Sequence, residues 1–217
     1  MDDKEILNRL SNQGLDVVFD IGGASGAYTD MVLEKFPESH IFIFEPRKSS
    51  YDFLVDKYGR NLSVDVTNVA VSSKVGEVHF FEIDMLPELS SVHNRAYFEN
   101  MPANGKREIV VNSITVDNFF DSNNLKKIDL IKIDTEGHEL EVLKGAKKTL
   151  EKTRFIQFEY GGTYPDAGIT LTEVVDFLIK SGFSIYSDIE QITEDNVSNF
   201  ETFEYNNFLA INLNSGL

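Results

Sequence analysis

Asp20-Ile21-Gly22-Gly23-Ala24-Ser25-Gly26 is the stretch whose reading decides the fold. It follows the apolar run Val17-Val18-Phe19 and precedes Tyr28, Met31, Val32 and Phe36, which recur at helical spacing until Pro37. A continuous apolar strand passing through glycines into a helix opens a βαβ crossover in a parallel sheet covered on both faces. Glycines tighten the turn and let a ligand approach the backbone, and the helix start offers free N–H groups to an anion. A dinucleotide fingerprint needs G-x-G-x-x-G/A. Counted from Gly22, its second glycine falls on Ala24, so that pattern fails and D-x-G-x-x-x-G fits. Asp20 at the strand end would repel a pyrophosphate and attract an ammonium or a sulfonium. S-adenosylmethionine (SAM) carries both, with a carboxylate for the backbone N–H groups. On this reading Asp20, Gly22, Gly23 and Gly26 are cofactor residues; the plain alternative is a glycine turn that binds nothing.

Moving outward, Ile41-Phe42-Ile43-Phe44 reads as the second strand and ends in Glu45-Pro46. An acid at that distance from the glycine turn suits hydrogen bonds from both ribose hydroxyls of a nucleoside cofactor. Tyr51, Leu54, Val55 and Tyr58 mark a helix, and a third strand is expected within residues 62–71. Its end, Asn68-Val69-Ala70-Val71-Ser72, would let an adenine lie on Val69 and Ala70 with a polar group from Asn68. Upstream, Ile6, Leu7 and Leu10 predict a short amphipathic helix over residues 2–12.

Residues 76–83 and 107–114 read as two more strands, forming a hairpin-like insertion between the third and fourth parallel strands. The 84–106 connection between them has little periodicity. A structureless loop of that length is uncommon in a compact domain unless functional, so it is expected on the substrate side. Alternation then resumes: a strand at 128–133, one helix face through Leu140, Leu143, Ala146 and Leu150, and a strand at 155–158. Thr170 and Glu173 form a capping-box pattern ahead of another helix, and strands at 183–186 and 208–213 finish the chain. The expectation is one α/β domain over residues 1–217, with a mostly parallel seven-stranded sheet and helices on both faces.

The strand at 128–133 runs into Asp134-Thr135-Glu136-Gly137-His138-Glu139. Three ionisable groups, Asp134, Glu136 and His138, thus lie just past its carboxyl end, where ligands of open α/β sheets bind. Glu159, after the next strand, joins the same rim. These four are the catalytic candidates, able to position a donor, orient an acceptor or take its proton, with Asp134 also a cofactor contact. Acids favoured by a helix N-terminus are the plain alternative, which suits Glu136 and Glu139 better than Asp134. No ligand spacing defines a metal site, although a divalent cation on these acids would be another way to acidify a hydroxyl. His93, in the long loop, is a weaker acceptor-side candidate than His138, and His40 and His79 read as structural.

Composition narrows the partners. A formal net charge of −16 disfavours a nucleic-acid substrate. The one dense basic cluster, Lys144, Lys147, Lys148, Lys152 and Arg154, reads as a solvated helix face. Cysteine is absent, which excludes disulfides and thiolate metal sites. No apolar run approaches the ~20 residues of a membrane span, and the acidic N-terminus lacks a signal-peptide pattern. A soluble, cytoplasmic protein acting on a small molecule is expected.

Asp20 to Thr29, Phe44-Glu45-Pro46, Asn68 to Ser72, Thr115-Val116-Asp117, Ile133 to Gly145 (IDTEGHELEVLKG) and Gln157-Phe158-Glu159 together resemble the FkbM-type methyltransferases over roughly residues 16–160. The resemblance implies a Rossmann-like class I SAM-dependent fold and O-methylation of a sugar or another hydroxylated metabolite. It also implies that Asp20, Gly22 and Gly26 hold the methionine moiety, Glu45 the ribose, and Asp134 and Glu136 the reaction side. The glycine turn departs modestly, with Gly23-Ala24-Ser25 where Ala-Asn is commoner. An NAD- or nucleotide-sugar-dependent oxidoreductase on the same fold, or a non-catalytic SAM-binding scaffold, are the alternatives.

Overall fold

The computed structural model describes residues 1–84, 86, 89–94, 105–162, 164–202 and 204–214. In chain order the elements are α1 (Asp3–Arg9), β1 (Val17–Ile21), α2 (Ala27–Lys35), β2 (His40–Phe44), α3 (Lys48–Tyr58), β3 (Val64–Thr67), β4 (Ala70–Val71), β5 (Gly76–Ile83) and β6 (Lys106–Ile114). There follow α4 (Val116–Ser122), β7 (Ile128–Ile133), α5 (Glu139–Lys144), β8 (Thr153–Tyr160), α6 (Tyr164–Ala167), α7 (Leu171–Lys180), β9 (Phe183–Tyr186), β10 (Gln191–Ile192) and β11 (Asn206–Asn212). Among the described residues no helix is long and apolar enough to cross a membrane.

The main sheet runs β10-β9-β11-β8-β7-β1-β2-β3. The five strands from β8 to β3 are parallel, and β11, β9 and β10 pair antiparallel at one edge. All seven expected strands are present, and the two-residue β10 makes an eighth. Successive residues point to opposite faces, so Phe19, Ile131 and Phe158 enter one core and Val18, Leu130 and Phe155 the other. The apolar runs are continuous because both faces are covered. From β1 the chain winds outward through β2 and β3, then returns to place β7 on the other flank of β1. That reversal opens a crevice at the carboxyl ends of β1 and β7, the usual ligand position in such sheets.

The expected third strand is broken at Asn68-Val69. Asn68 Nδ2 donates to the carbonyls of Glu45 and Pro46 at 2.8 and 3.0 Å, so the chain turns there. β3 stays beside β2, while β4 leaves to pair with β6 in a second sheet, β4-β6-β5. The insertion is therefore a hairpin anchored on the core by a third strand. In its 84–106 connection, residues 85, 87, 88 and 95–104 lie outside the described residues. Ser91, in the described part, is buried and bridges to Phe81.

Two further expectations are corrected. The helix read through Leu150 ends at Lys144, and residues 149–152 form a separate 3-10 turn. A Cβ on Gly145 would lie 2.1 Å from the Ser72 carbonyl oxygen, and the Asp117 carboxylate takes the Lys148 and Thr149 N–H groups at 3.2 and 2.8 Å. Packing against β4 and α4 thus overrides helical periodicity. The basic cluster is accordingly not one helix face: Lys144 is on α5, Lys152 in the 3-10 turn, and Arg154 on β8, bonded to Asp129 at 3.0 Å. Helix α4 was not expected. It drives Phe119 into Phe19, Phe42 and Phe44, with ring centroids 4.8–5.5 Å apart, and so braces the strands that carry the glycine turn and Glu45.

Candidate active site

The glycine turn is shaped by close packing. Gly22 has φ 90°, and a Cβ there would lie 1.9 Å from the Asp134 carbonyl oxygen. Gly26 has φ 74°, with the Tyr58 hydroxyl 2.6 Å from its virtual Cβ. Only glycine combines that backbone with that proximity. The turn therefore abuts the end of β7, bringing two expected site segments together.

Between them lies a cleft lined on its apolar side by Phe44, Val69, Val71, Phe80 and Val92, and on its polar side by Glu45, Asp134, Glu136 and His138. Glu45 is buried. It accepts the Ala24 N–H at 2.9 Å on one oxygen and the Arg47 N–H at 2.8 Å on the other. Burial pushes its pKa up to about 7, only partly offset by those two bonds. Each oxygen keeps a lone pair for a hydroxyl. Apolar walls for a base, a carboxylate for a ribose and a glycine turn for backbone contacts suit SAM.

Of the expected cofactor residues, Gly22, Glu45, Val69 and Asp134 line this cleft. Asp20, Gly23, Gly26 and Asn68 do not. Asp20 is fully buried, accepts the Thr29 hydroxyl at 2.7 Å, and has its second oxygen without a hydrogen-bond partner. Burial raises its pKa, against the attraction of Lys132. Gly23 fits under Ile43, and Asn68 ties down the Glu45-Pro46 turn.

The acidic side of the cleft is built on Lys132. This lysine lies within a strand buried on both faces, its Nζ 2.6 Å from Asp134 Oδ2 and 5.2 Å from the centre of the Tyr28 ring. Burial pulls its pKa down, but Asp134 and Asp20 outweigh that and hold it above the ordinary lysine value. Asp134, Glu136 and Glu159 bring carboxylate oxygens within 4.8 Å of one another, a spacing that also suits a metal ion. Burial, then repulsion from Asp134 and Glu136, pushes Glu159 up to about 9, so it is a protonated acid at neutral pH.

Glu136 takes its place through an unusual backbone, with φ 56° at Glu136 and 101° at Gly137. Three bonds to Glu139 Oε1 fold the loop: Thr135 N at 2.8 Å, Thr135 Oγ1 at 3.0 Å and Gly137 N at 3.3 Å. Glu139 thus serves the loop rather than the cleft. From the insertion, the Ser91 hydroxyl donates to the Glu136 carbonyl at 2.8 Å. His138 Nε2 meets the Ser72 hydroxyl at 2.9 Å and its Nδ1 meets His93 Nε2 at 3.3 Å. Burial and then His93 lower His138 to about 4, so the ring is neutral at physiological pH.

Asp134, Glu136, His138 and Glu159 are thus assembled from β7, its following loop and β8, and the insertion adds Ser91 and His93. Lys132 and Ser91 were not singled out from the sequence. Lys132 had a readable signal, a lone cation inside an apolar strand, which must find acids nearby. Ser91 had none.

A doubly wound sheet with a cleft at its switch point, apolar on one wall and acidic on the other, has the architecture of a class I methyltransferase. Over 98% of this chain and 99% of the other, the fold matches the Streptococcus mutans protein SMU.1697c, solved in complex with SAH (TM-score 0.53, 12% identity). The chain belongs to the methyltransferase FkbM domain family, which matches residues 20–185. It is 26% identical over 181 residues to the hexuronic acid methyltransferase AglP of Haloferax volcanii, covering 83% of this chain and 67% of that protein. It is 29% identical over 154 residues to the 2-O-methyltransferase NoeI of Sinorhizobium fredii, covering 66% of this chain and 63% of that protein.

Proposed function

We propose that this protein transfers the methyl group of SAM to a hydroxyl of a sugar or sugar-like metabolite. The observation that carries the reading is the contact of Gly22 with the end of β7, which sets the cofactor cleft directly against Asp134, Glu136 and Glu159. The names of the two relatives, a hexuronic acid methyltransferase and a 2-O-methyltransferase, support a saccharide acceptor.

Glu45 would take the ribose hydroxyls, and Val69 with its apolar neighbours the adenine. Gly22 would bring the turn against the methionine moiety, the Gly22 and Gly23 N–H groups themselves donating to the Phe44 carbonyl at 3.0 and 3.3 Å. Gly23 and Gly26 shape that turn, Asn68 holds the Glu45 turn in place, and Asp20 adds its charge from behind through Lys132. Bound SAM supplies an activated methyl group, so the protein's task is alignment and proton removal. Lys132 holds Asp134 in place. Glu159, carrying a proton, donates a hydrogen bond to one acceptor oxygen, while Asp134, Glu136 or His138 accepts the proton of the reacting hydroxyl. Asp134, Glu136 and Glu159 are also the residues that would hold a divalent cation, whose charge would acidify that hydroxyl. A cytoplasmic setting, where SAM is made and spent, fits this chemistry.

Calorimetry with S-adenosylhomocysteine and NAD, followed by methyl transfer from labelled SAM to a panel of glycosides, tests the proposal. Binding of NAD in preference would favour an oxidoreductase. Tight S-adenosylhomocysteine binding with no transfer to any hydroxylated acceptor would favour a non-catalytic scaffold.

A further inference from the structure

The cofactor cleft lies over the ends of β1 and β2, through Gly22 and Glu45, and stops at Asp134 and Glu136 past β7. An acceptor on the far side of those carboxylates rests on the next strands along the sheet, β8 and β11. There Glu159 pairs with Asn207 across the two strands, and Asn206 with Tyr160, so the Glu159 and Asn207 side chains are neighbours on one face. The next position on that face after Glu159 is Gly161, just past the strand. It has no side chain, and the ring of Tyr205 takes its place: a Cβ on Gly161 would lie 2.6 Å from Tyr205 Cδ1 and 2.8 Å from its Cγ. Tyr205 is nevertheless 46% exposed. The other two tyrosines of this edge are committed elsewhere. Tyr160 and Tyr164 are buried, and the Tyr164 hydroxyl donates to the Glu159 carbonyl at 2.8 Å.

We infer that Tyr205 is the platform on which a cyclic acceptor sugar rests, with the Asn207 amide donating to one of its hydroxyls, so that these two residues set acceptor specificity. The inference rests on the methyltransferase reading of the same site and deepens it. A pyranose carries hydroxyls around its edge and C–H groups on its faces. Those C–H hydrogens are weakly positive and meet the negative face of an aromatic ring. An amide beside that ring can donate to the edge hydroxyls. Tyr205 and Asn207 thus match both surfaces of such a sugar, one strand along from the carboxylates. A tyrosine held only for packing would cover its ring, as Tyr160 and Tyr164 do; Gly161 instead seats Tyr205 while leaving nearly half of it open.

The test is methyl transfer from labelled SAM by the full chain to methyl glucoside, galactoside and mannoside, with calorimetry of S-adenosylhomocysteine alongside. For the glycoside used best, Tyr205→Ala should raise the acceptor KM about tenfold, with S-adenosylhomocysteine affinity holding at the wild-type value. Tyr205→Phe, which keeps the ring, should recover most of that loss, and Asn207→Ala should raise the same KM about fivefold. The chain contains no tryptophan, so Tyr205→Trp gives indole emission from this position alone. That emission should shift when the glycoside is added to the S-adenosylhomocysteine complex, where no turnover occurs. An unchanged acceptor KM in Tyr205→Ala, an equal loss of S-adenosylhomocysteine affinity, or Tyr205→Trp emission indifferent to the glycoside above its KM overturns the inference and leaves the methyltransferase reading standing. S-adenosylhomocysteine binding by the wild type with no transfer to any of the glycosides overturns the saccharide reading and the inference with it.

Discussion

The Ser91 hydroxyl donates a 2.8 Å hydrogen bond to the carbonyl of Glu136, a non-glycine residue held at φ 56°. The left-handed backbone costs of the order of 1 kcal/mol or more and persists only where its surroundings enforce it. Ser91 comes from the insertion and Glu136 from the loop after β7, so the insertion grips the loop that carries the carboxylates. Ser91→Ala is expected to lower kcat about tenfold while leaving S-adenosylhomocysteine affinity unchanged, since the cofactor wall is untouched. Steady-state kinetics with calorimetry checks this. An unchanged kcat, or an equal loss of cofactor affinity, removes Ser91 as a positioning residue.

The proposed function gives proton removal to Asp134, Glu136 or His138. Glu136→Ala and His138→Ala are each expected to lower kcat by roughly 10²-fold, the lower range for a positioned base. If both variants turn over the true acceptor at the wild-type rate, neither Glu136 nor His138 is the base.

Glu45 separates a nucleoside site from a bare glycine turn. Glu45→Ala should weaken S-adenosylhomocysteine binding roughly 10- to 100-fold, the worth of hydrogen bonds to a charged group. Calorimetry at pH 8 measures it, above the pKa of about 7 that burial imposes on this carboxyl. Unaltered affinity would remove Glu45 from the ribose role.

Glu159 makes the fold pH-sensitive with a defined sign. Its pKa rises from the ordinary 4.5 to about 9 in the folded protein. The native state therefore binds the proton more tightly than the unfolded chain. Its contribution to stability is complete below about pH 4.5 and is lost as pH rises through about 9. Glu159→Gln removes the penalty. Its melting temperature should exceed wild type by about 3 °C or more at pH 8, with the gap closing at pH 4.5. Thermal scans at the two pH values decide, and a gap of equal size at both would contradict the assignment.

Lys132 Nζ already occupies one oxygen of Asp134 at 2.6 Å, so the carboxylate cluster has a cation of its own. Turnover is expected to survive dialysis against a chelator. Loss of activity on chelation, restored by Mg²⁺, would reassign Asp134, Glu136 and Glu159 as metal ligands.

Much of the frame was legible residue by residue. The strand at 128–133 lies where its apolar run ends at Asp134, and Thr170 and Glu173 make both bonds of the expected capping box. The glycine turn and Glu45 fall at strand ends, as their spacing required. The break at Asn68, the end of α5 at Gly145 and the tie from Ser91 were not legible. Each depends on a partner far along the chain: Asn68 on Glu45, Gly145 on Ser72, Ser91 on Glu136.

By itself, then, the sequence determined what local chemistry controls. It set which segments are strands buried on both faces, where the chain must turn through glycine, and which acids stand at the carboxyl ends of those strands. Periodicity, turn propensity and charge act within a few residues, so they can be read in order. Only the tertiary structure decided how those acids behave. Burial and mutual repulsion raise the pKa of Glu159, Lys132 keeps company with Asp134 and Asp20, and the insertion reaches across to hold Glu136. Those properties are fields and contacts between distant residues, and they come into being only when the sheet brings β1, β7 and β8 side by side.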